Sequence, residues 1–139
     1  MYSLNIDGYF RDAVRERFPD EAGIYFVYRG TLDPVRHWAT LKELLYIGET
    51  NDMLARHNDH DRRGDFLNQL RPGEMLFYTY ALTNYTEQVR KRIEAALVYE
   101  LLPPLNTQAT ASFNYPPTRI EIRGDRHAFV PNMVDAPSY

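Results

Sequence analysis

Cysteine is absent from the 139 residues, which excludes disulfides, thiolate metal sites and cysteine nucleophiles together. The catalytic vocabulary that remains is Tyr, His, Arg and carboxylates. Lysine is nearly absent as well: Lys42 and Lys91 stand against fourteen arginines. Arginine suits forked contacts with phosphate, although an Arg-rich genome produces the same bias. No apolar run approaches membrane-spanning length and no basic-then-apolar segment opens the chain, so a soluble, cytoplasmic protein without a membrane partner is expected. The formal charge of −3 and pI of about 5.8 argue against holding nucleic acid by bulk attraction.

A hydrophobic content of 44% is enough for one core, and residues 1–139 read as a single domain. The most informative stretch is residues 86–102, TEQVRKRIEAALVYELL. It contains no Gly or Pro, opens at Thr86 as a cap and stops at Pro103-Pro104, which predicts a helix. At roughly 100° per residue, Ile93, Leu97, Val98, Leu101 and Leu102 share one apolar arc. Glu94 lies mid-way across that arc. A carboxylate facing a core must be paired, protonated or metal-bound. Arg90, one turn away, is the simplest partner.

Elsewhere the patterns are shorter. Residues 7–18 place Phe10, Val14 and Phe18 at i, i+4 and i+8, predicting an amphipathic N-terminal helix within residues 1–21. Residues 21–30, β-branched and aromatic between glycines, predict a strand. The connector 31–43 carries Val35, Trp38 and Leu41 at helical spacing, predicting a helical insert. Residues 44–48 (LLYIG) read as a buried strand. A helix capped by Thr50 or Asn51 follows to about Asp61, then a second over residues 65–70 before Pro72-Gly73. Residues 74–82 are apolar on both faces and predict a central strand. Past Asn106, residues 118–123 alternate as an edge strand, and the last residues predict an irregular tail. The fold class expected is α/β: a small three-stranded, mainly antiparallel sheet flanked by helices, with a C-terminal extra strand in the extension 107–139.

Within residues 22–106 a constellation stands out: Gly23-Ile24-Tyr25, Tyr46-Ile47-Gly48, Arg56, His60, Glu94 on the long helix, and Asn106 closing Pro103-Pro104-Leu105-Asn106. In order and type it resembles the GIY-YIG nuclease family. The resemblance implies a DNA endonuclease with one divalent metal, Mg²⁺ or Mn²⁺, held by Glu94 as sole protein ligand. A lone carboxylate with several waters is how Mg²⁺ prefers to be held. Arg56 maps to the family arginine that grips the scissile phosphate. Asn106 maps to the asparagine that tethers the helix end. Arg62, Arg63 and Arg90 are further candidates for nucleic-acid contact.

An unperturbed tyrosine has a pKa near 10, and lowering it by about three units takes roughly 4 kcal/mol of phenolate stabilisation. Arg56 and His60, read as i and i+4 on one helix, are the candidates to supply it. Tyr25 is favoured as general base assisted by His60, with Tyr46 positioning water or phosphate. His57 is read as surface. Two features depart from the pattern: Glu49 sets an acid straight after the YIG string, and the connector between the two tyrosines is long. No separate DNA-binding module is visible, so specificity falls to the insert, the N-terminal helix, the tail, a second copy or a partner subunit. The competing readings are a weak or inactive module that binds nucleic acid or a protein partner, and a nuclease acting on RNA or branched substrates.

Overall fold

The computed structural model describes residues 1–108, 110–127 and 129–138. Ten elements build it. In chain order they are β1 (Tyr2–Arg11), a 3-10 helix (Asp12–Arg17), β2 (Gly23–Asp33), β3 (Trp38–Thr50), α1 (Met53–Asn58), α2 (Arg63–Asn68), β4 (Met75–Leu82), α3 (Glu87–Leu101), β5 (Thr118–Gly124) and β6 (Met133–Ala136). The strands form one six-stranded sheet in the order β3-β2-β4-β1-β5-β6. All pairings are antiparallel except β1 with β5. The expected small three-stranded sheet is therefore wrong: β3, β2 and β4 form only half of a larger mixed sheet.

The excess strands come from three segments whose patterns mislead. The N-terminal helix is instead β1, whose Leu4 and Ile6 are buried on one face by simple alternation. Phe10, Val14 and Phe18 do share a cluster, but across a strand, a 3-10 turn and a loop; Phe10 stacks on Tyr80 with ring centroids 5.0 Å apart. The helical insert is instead a hairpin, with β2 and β3 paired from Gly23↔Thr50 out to Asp33↔Trp38. Asp33 explains the turn: its carboxylate accepts from the amides of Val35 and Arg36 at 2.9 and 3.0 Å. This is the Asx geometry that competes with helix formation. The predicted edge strand is β5, but it lies between β1 and β6, and the irregular tail contains β6.

The sheet carries a core on each face. Because side chains alternate along β2, Ile24, Phe26 and Tyr28 join the cluster that α3 covers with Ile93, Ala96, Leu97 and Val98. Tyr25 and Val27 face the opposite cluster, with Phe18, Leu45, Met53, Phe66 and Tyr78. Thr86 caps α3 by accepting from the Val89 amide, and Leu102 ends it in a left-handed conformation at φ 51. No helix among the described residues is long and apolar enough to cross a membrane.

Gly23 lies opposite Leu82 of β4, and a Cβ there would collide with the Ala81 carbonyl oxygen. Backbone cannot give way as a side-chain tip can. Gly23→Ala is expected to lower the unfolding free energy by about 1–3 kcal/mol, as overpacking does, read by urea denaturation.

Candidate active site

The first two glycine-tyrosine strings are neighbours across the β2–β3 hairpin, with Tyr25 opposite Gly48 in the register. A Cβ on residue 48 would overlap the Tyr25 ring. Gly48 is thus the seat of that ring. Tyr46, two residues back on the same face, lies with its ring centroid 6.2 Å from that of Tyr25. Both tyrosines look toward the short α1–α2 segment, where Arg56 and His60 wait.

Arg56 is on α1, whose N-cap is Asp52, accepting from the Ala55 amide at 3.0 Å; neither Thr50 nor Asn51 is the cap. The helix ends at Asn58, so His60 lies in the following turn and does not share a helix face with Arg56. The two nevertheless converge on one atom. Tyr25 Oη is 2.8 Å from His60 Nε2 and 3.3 Å from Arg56 Nε. His60 Nδ1 accepts the Arg62 amide at 3.0 Å, so in the neutral ring the proton resides on Nε2 and is donated to Tyr25. Burial, with Arg56 adding to it, holds the His60 pKa down to about 4, which keeps the ring neutral. Tyr25 Oη therefore accepts two hydrogen bonds, the arrangement that favours a phenolate. Burial opposes it and dominates, so the Tyr25 pKa is raised and not lowered as the sequence led us to expect.

His57 is not on the surface. It is buried against Tyr25, Tyr78 and Phe18, with ring centroids 4.6, 4.9 and 5.2 Å away, and its Nε2 has no partner. Burial takes its pKa down to about 3. A neutral imidazole thus packs behind the Tyr25 ring and fixes its plane.

Glu94 reaches the cleft from α3 on the other face of the sheet. The free edge of β3 makes this contact. Residues 45, 47 and 49 turn their backbone groups outward there: Leu45 O accepts from Leu105 N at 3.0 Å, Ile47 N and O pair with the Asn106 amide at 2.9 and 2.8 Å, and Glu49 N donates to Glu94 Oε2 at 2.7 Å. Asn106 behaves as one residue of a missing strand. Arg90 does not pair with Glu94; its Nε lies 3.0 Å from Glu49 Oε2 and it donates to the Tyr85 carbonyl. The acid after the YIG string is thereby neutralised. Glu94 has no matched cation, and burial pushes its pKa up to about 7 against the opposing pull of the Glu49 amide.

Glu94, Tyr46, Arg56 and Asn106 line one cleft of about 820 Å³, and Glu49, Asp61, Arg62 and Lys91 share its walls. Burial first, then the charge of Glu94, raises the Tyr46 pKa. The rim opposite the hairpin comes from the segment after Asn106, including Gln108, Asn114 and Tyr115. Nothing in that polar stretch marked it as part of the site, because only the path of the chain brings it there. Among the other candidate nucleic-acid contacts, Arg63 turns away to Asp12 at 2.5 Å and Arg90 is buried. Arg62 lies over the Tyr46 ring but is tied to Asp65 and the Leu105 carbonyl.

As a metal donor set, the site offers one carboxylate without an arginine partner, Glu94, since Glu49 and Asp61 on the same walls are paired with Arg90 and Arg56. Among the described residues no group of three or more His, Asp or Glu side chains is placed to hold a metal ion. A buried Glu94 with Oε2 on an amide and no matched cation fits a largely hydrated ion such as Mg²⁺ and does not fit a cage-type site. No protein-family model, curated protein or solved structure matches this chain.

The Glu94 pKa yields a pH test. The folded protein holds this proton up to about pH 7, the unfolded chain only to about 4.5. Stability is therefore fully present below 4.5 and is lost as pH rises through about 7, by about 3 kcal/mol. Glu94→Gln, neutral throughout, is expected to match the parent at pH 4 and to exceed it by about that amount at pH 8, measured by urea unfolding at both.

Proposed function

We propose that the protein is a metal-dependent phosphodiester hydrolase of the GIY-YIG type that cleaves DNA. The observation that carries this reading is the convergence of Arg56 Nε and His60 Nε2 on Tyr25 Oη beside the cleft into which Glu94 projects. These groups come from β2, α1, the turn after α1 and α3. A structural tyrosine does not need two donors and an opposing carboxylate.

In this reading Tyr25, as phenolate, takes a proton from water as the water oxygen bonds to phosphorus and the bond from phosphorus to the 3′ oxygen breaks. His60 donates to Oη and holds the phenolate lone pairs in position. Arg56 faces both Oη and the cleft, so one guanidinium serves the base and the phosphate. Tyr46 orients the water or phosphate, and Asn106 holds the β3 edge from which Tyr46 and Glu49 are presented. Burial leaves Tyr25 needing more positive charge than Arg56 brings, and a Mg²⁺ or Mn²⁺ on Glu94 supplies it when bound, together with charge for the pentavalent phosphate and leaving oxygen.

A second reading, a module that binds nucleic acid or a protein partner without cleavage, is favoured by the ion-paired state of Arg62, Arg63 and Arg90. Supercoiled plasmid with Mg²⁺ or Mn²⁺ separates the two. Nicking by the parent is expected, with Glu94→Ala and Tyr25→Phe each lower by on the order of 10²–10³-fold. Equal nicking by parent and Glu94→Ala marks contamination and ends the hydrolase reading. A panel of RNA and branched DNA in the same assay ranks the substrates.

A further inference from the structure

The four arginines near the cleft are not held alike. Arg62, Arg63 and Arg90 each engage a carboxylate and at least one further acceptor, or a carboxylate through two nitrogens. Arg56 is different. Its Nη2 lies 3.1 Å from Oδ1 of Asp61, whose side chain is 73% exposed, while its Nε is committed to Tyr25.

Asp61 has little else to hold it. The same Oδ1 is 3.5 Å from His60 Nδ1, but that nitrogen already accepts the Arg62 amide and carries no proton for a carboxylate. Its only charged anchor among the described residues is thus the Arg56 guanidinium. An exposed ion pair of this kind is weak, because water competes for both members. Asp61 also lines the same cleft as Glu94 and Tyr46. A carboxylate beside the outer nitrogen of Arg56 stands where an incoming phosphate oxygen would bind, with matching charge.

We infer that Asp61 is an internal stand-in for the substrate phosphate: it sits on the outer nitrogen Nη2 of Arg56 in the free protein and must be displaced by a nucleic-acid phosphodiester before Arg56 can grip it. This rests on the hydrolase reading for its substrate class, but it concerns binding and not bond cleavage. Two consequences follow from the geometry. Asp61 keeps Arg56 oriented toward Tyr25 while no substrate is present, and it weakens the binding of any competing anion by the strength of one exposed pair. It is a gating residue, and it touches neither the reacting atoms nor Glu94.

The test uses the full chain in EDTA, with inorganic phosphate and a short labelled DNA duplex as separate probes. The Arg56 Nε–H NMR signal and duplex anisotropy are the readouts. Asp61→Asn is expected to bind both probes about fivefold tighter, the loss of one weak exposed pair. Asp61→Glu is expected to stay near the parent, and Asp59→Asn, an exposed acid on the same turn without a tie to Arg56, to change affinity by less than about twofold. Equal gains from Asp61→Asn and Asp59→Asn mean that bulk charge is responsible and overturn the gate. So does an Arg56 signal indifferent to phosphate in every form, and so does a gain confined to inorganic phosphate. In the plasmid assay Asp61→Asn should lower KM. Cleavage by the parent with unchanged duplex affinity in Asp61→Asn removes the gate and keeps the hydrolase reading; tighter binding without cleavage by any form does the reverse.

Discussion

The free edge of β3 is the constraint on which the site depends. An outermost strand leaves every second residue with an amide and a carbonyl that the sheet cannot satisfy, and near the protein interior such groups must find partners. Here residues 45, 47 and 49 find Leu105, the Asn106 side chain and Glu94. The same three contacts that close the edge also place the end of α3, the turn after it and one acidic side chain around the tyrosines of the hairpin. Stability and site geometry are therefore not separable at this edge.

The rest of the site follows from the two-sided character of the sheet. Alternation along β2 sends Tyr25 to the face opposite α3, where α1, α2 and the turn between them bring Arg56, His57 and His60. Glu94 belongs to the other face and enters only by passing over the edge strand. Gly48 allows this meeting, because the Tyr25 ring occupies the space of its missing side chain. Desolvation favours the neutral form of each neighbouring group: it keeps both histidines neutral, keeps the tyrosines protonated and draws Glu94 toward its neutral form. A site so arranged stores unmet demand for positive charge at Glu94 and Tyr25, which the arginines beyond Arg56 do not meet because they are engaged elsewhere.

What was legible beforehand was whatever repeats at short range. The strand around Tyr25, the buried LLYIG run, the strand at residues 75–82 and the α3 helix all carry unambiguous local periodicity or caps. The oddity of Glu94 was legible too, since helix geometry alone puts an acid among leucines. The failures share a cause. Phe10, Val14 and Phe18, and Val35, Trp38 and Leu41, match a helical period by coincidence over a few residues. Strand pairing outweighed that match, with Leu4 and Ile6 buried between β4 and β5 and the Asp33 carboxylate closing a turn. Nothing within residues 133–136 announces a strand until β5 is there to pair with it.

By itself the sequence determined the chemistry available: no thiol, few lysines, two glycine-tyrosine strings on strands, and one carboxylate out of keeping with its helix. Those are properties of composition and of spacings within a turn or a strand, which the chain carries in any conformation. Tertiary structure alone decided which of those groups meet: that Arg90 serves Glu49 and leaves Glu94 unmatched, that His57 is interior, that His60 meets Arg56 at a phenol oxygen and not along a helix, and that Asp61 reaches an outer nitrogen of Arg56. The reason is physical. Hydrogen bonds and desolvation act over a few ångströms in space, and the sheet order that brings residues 25, 60 and 94 within that range depends on pairings between strands far apart in the chain.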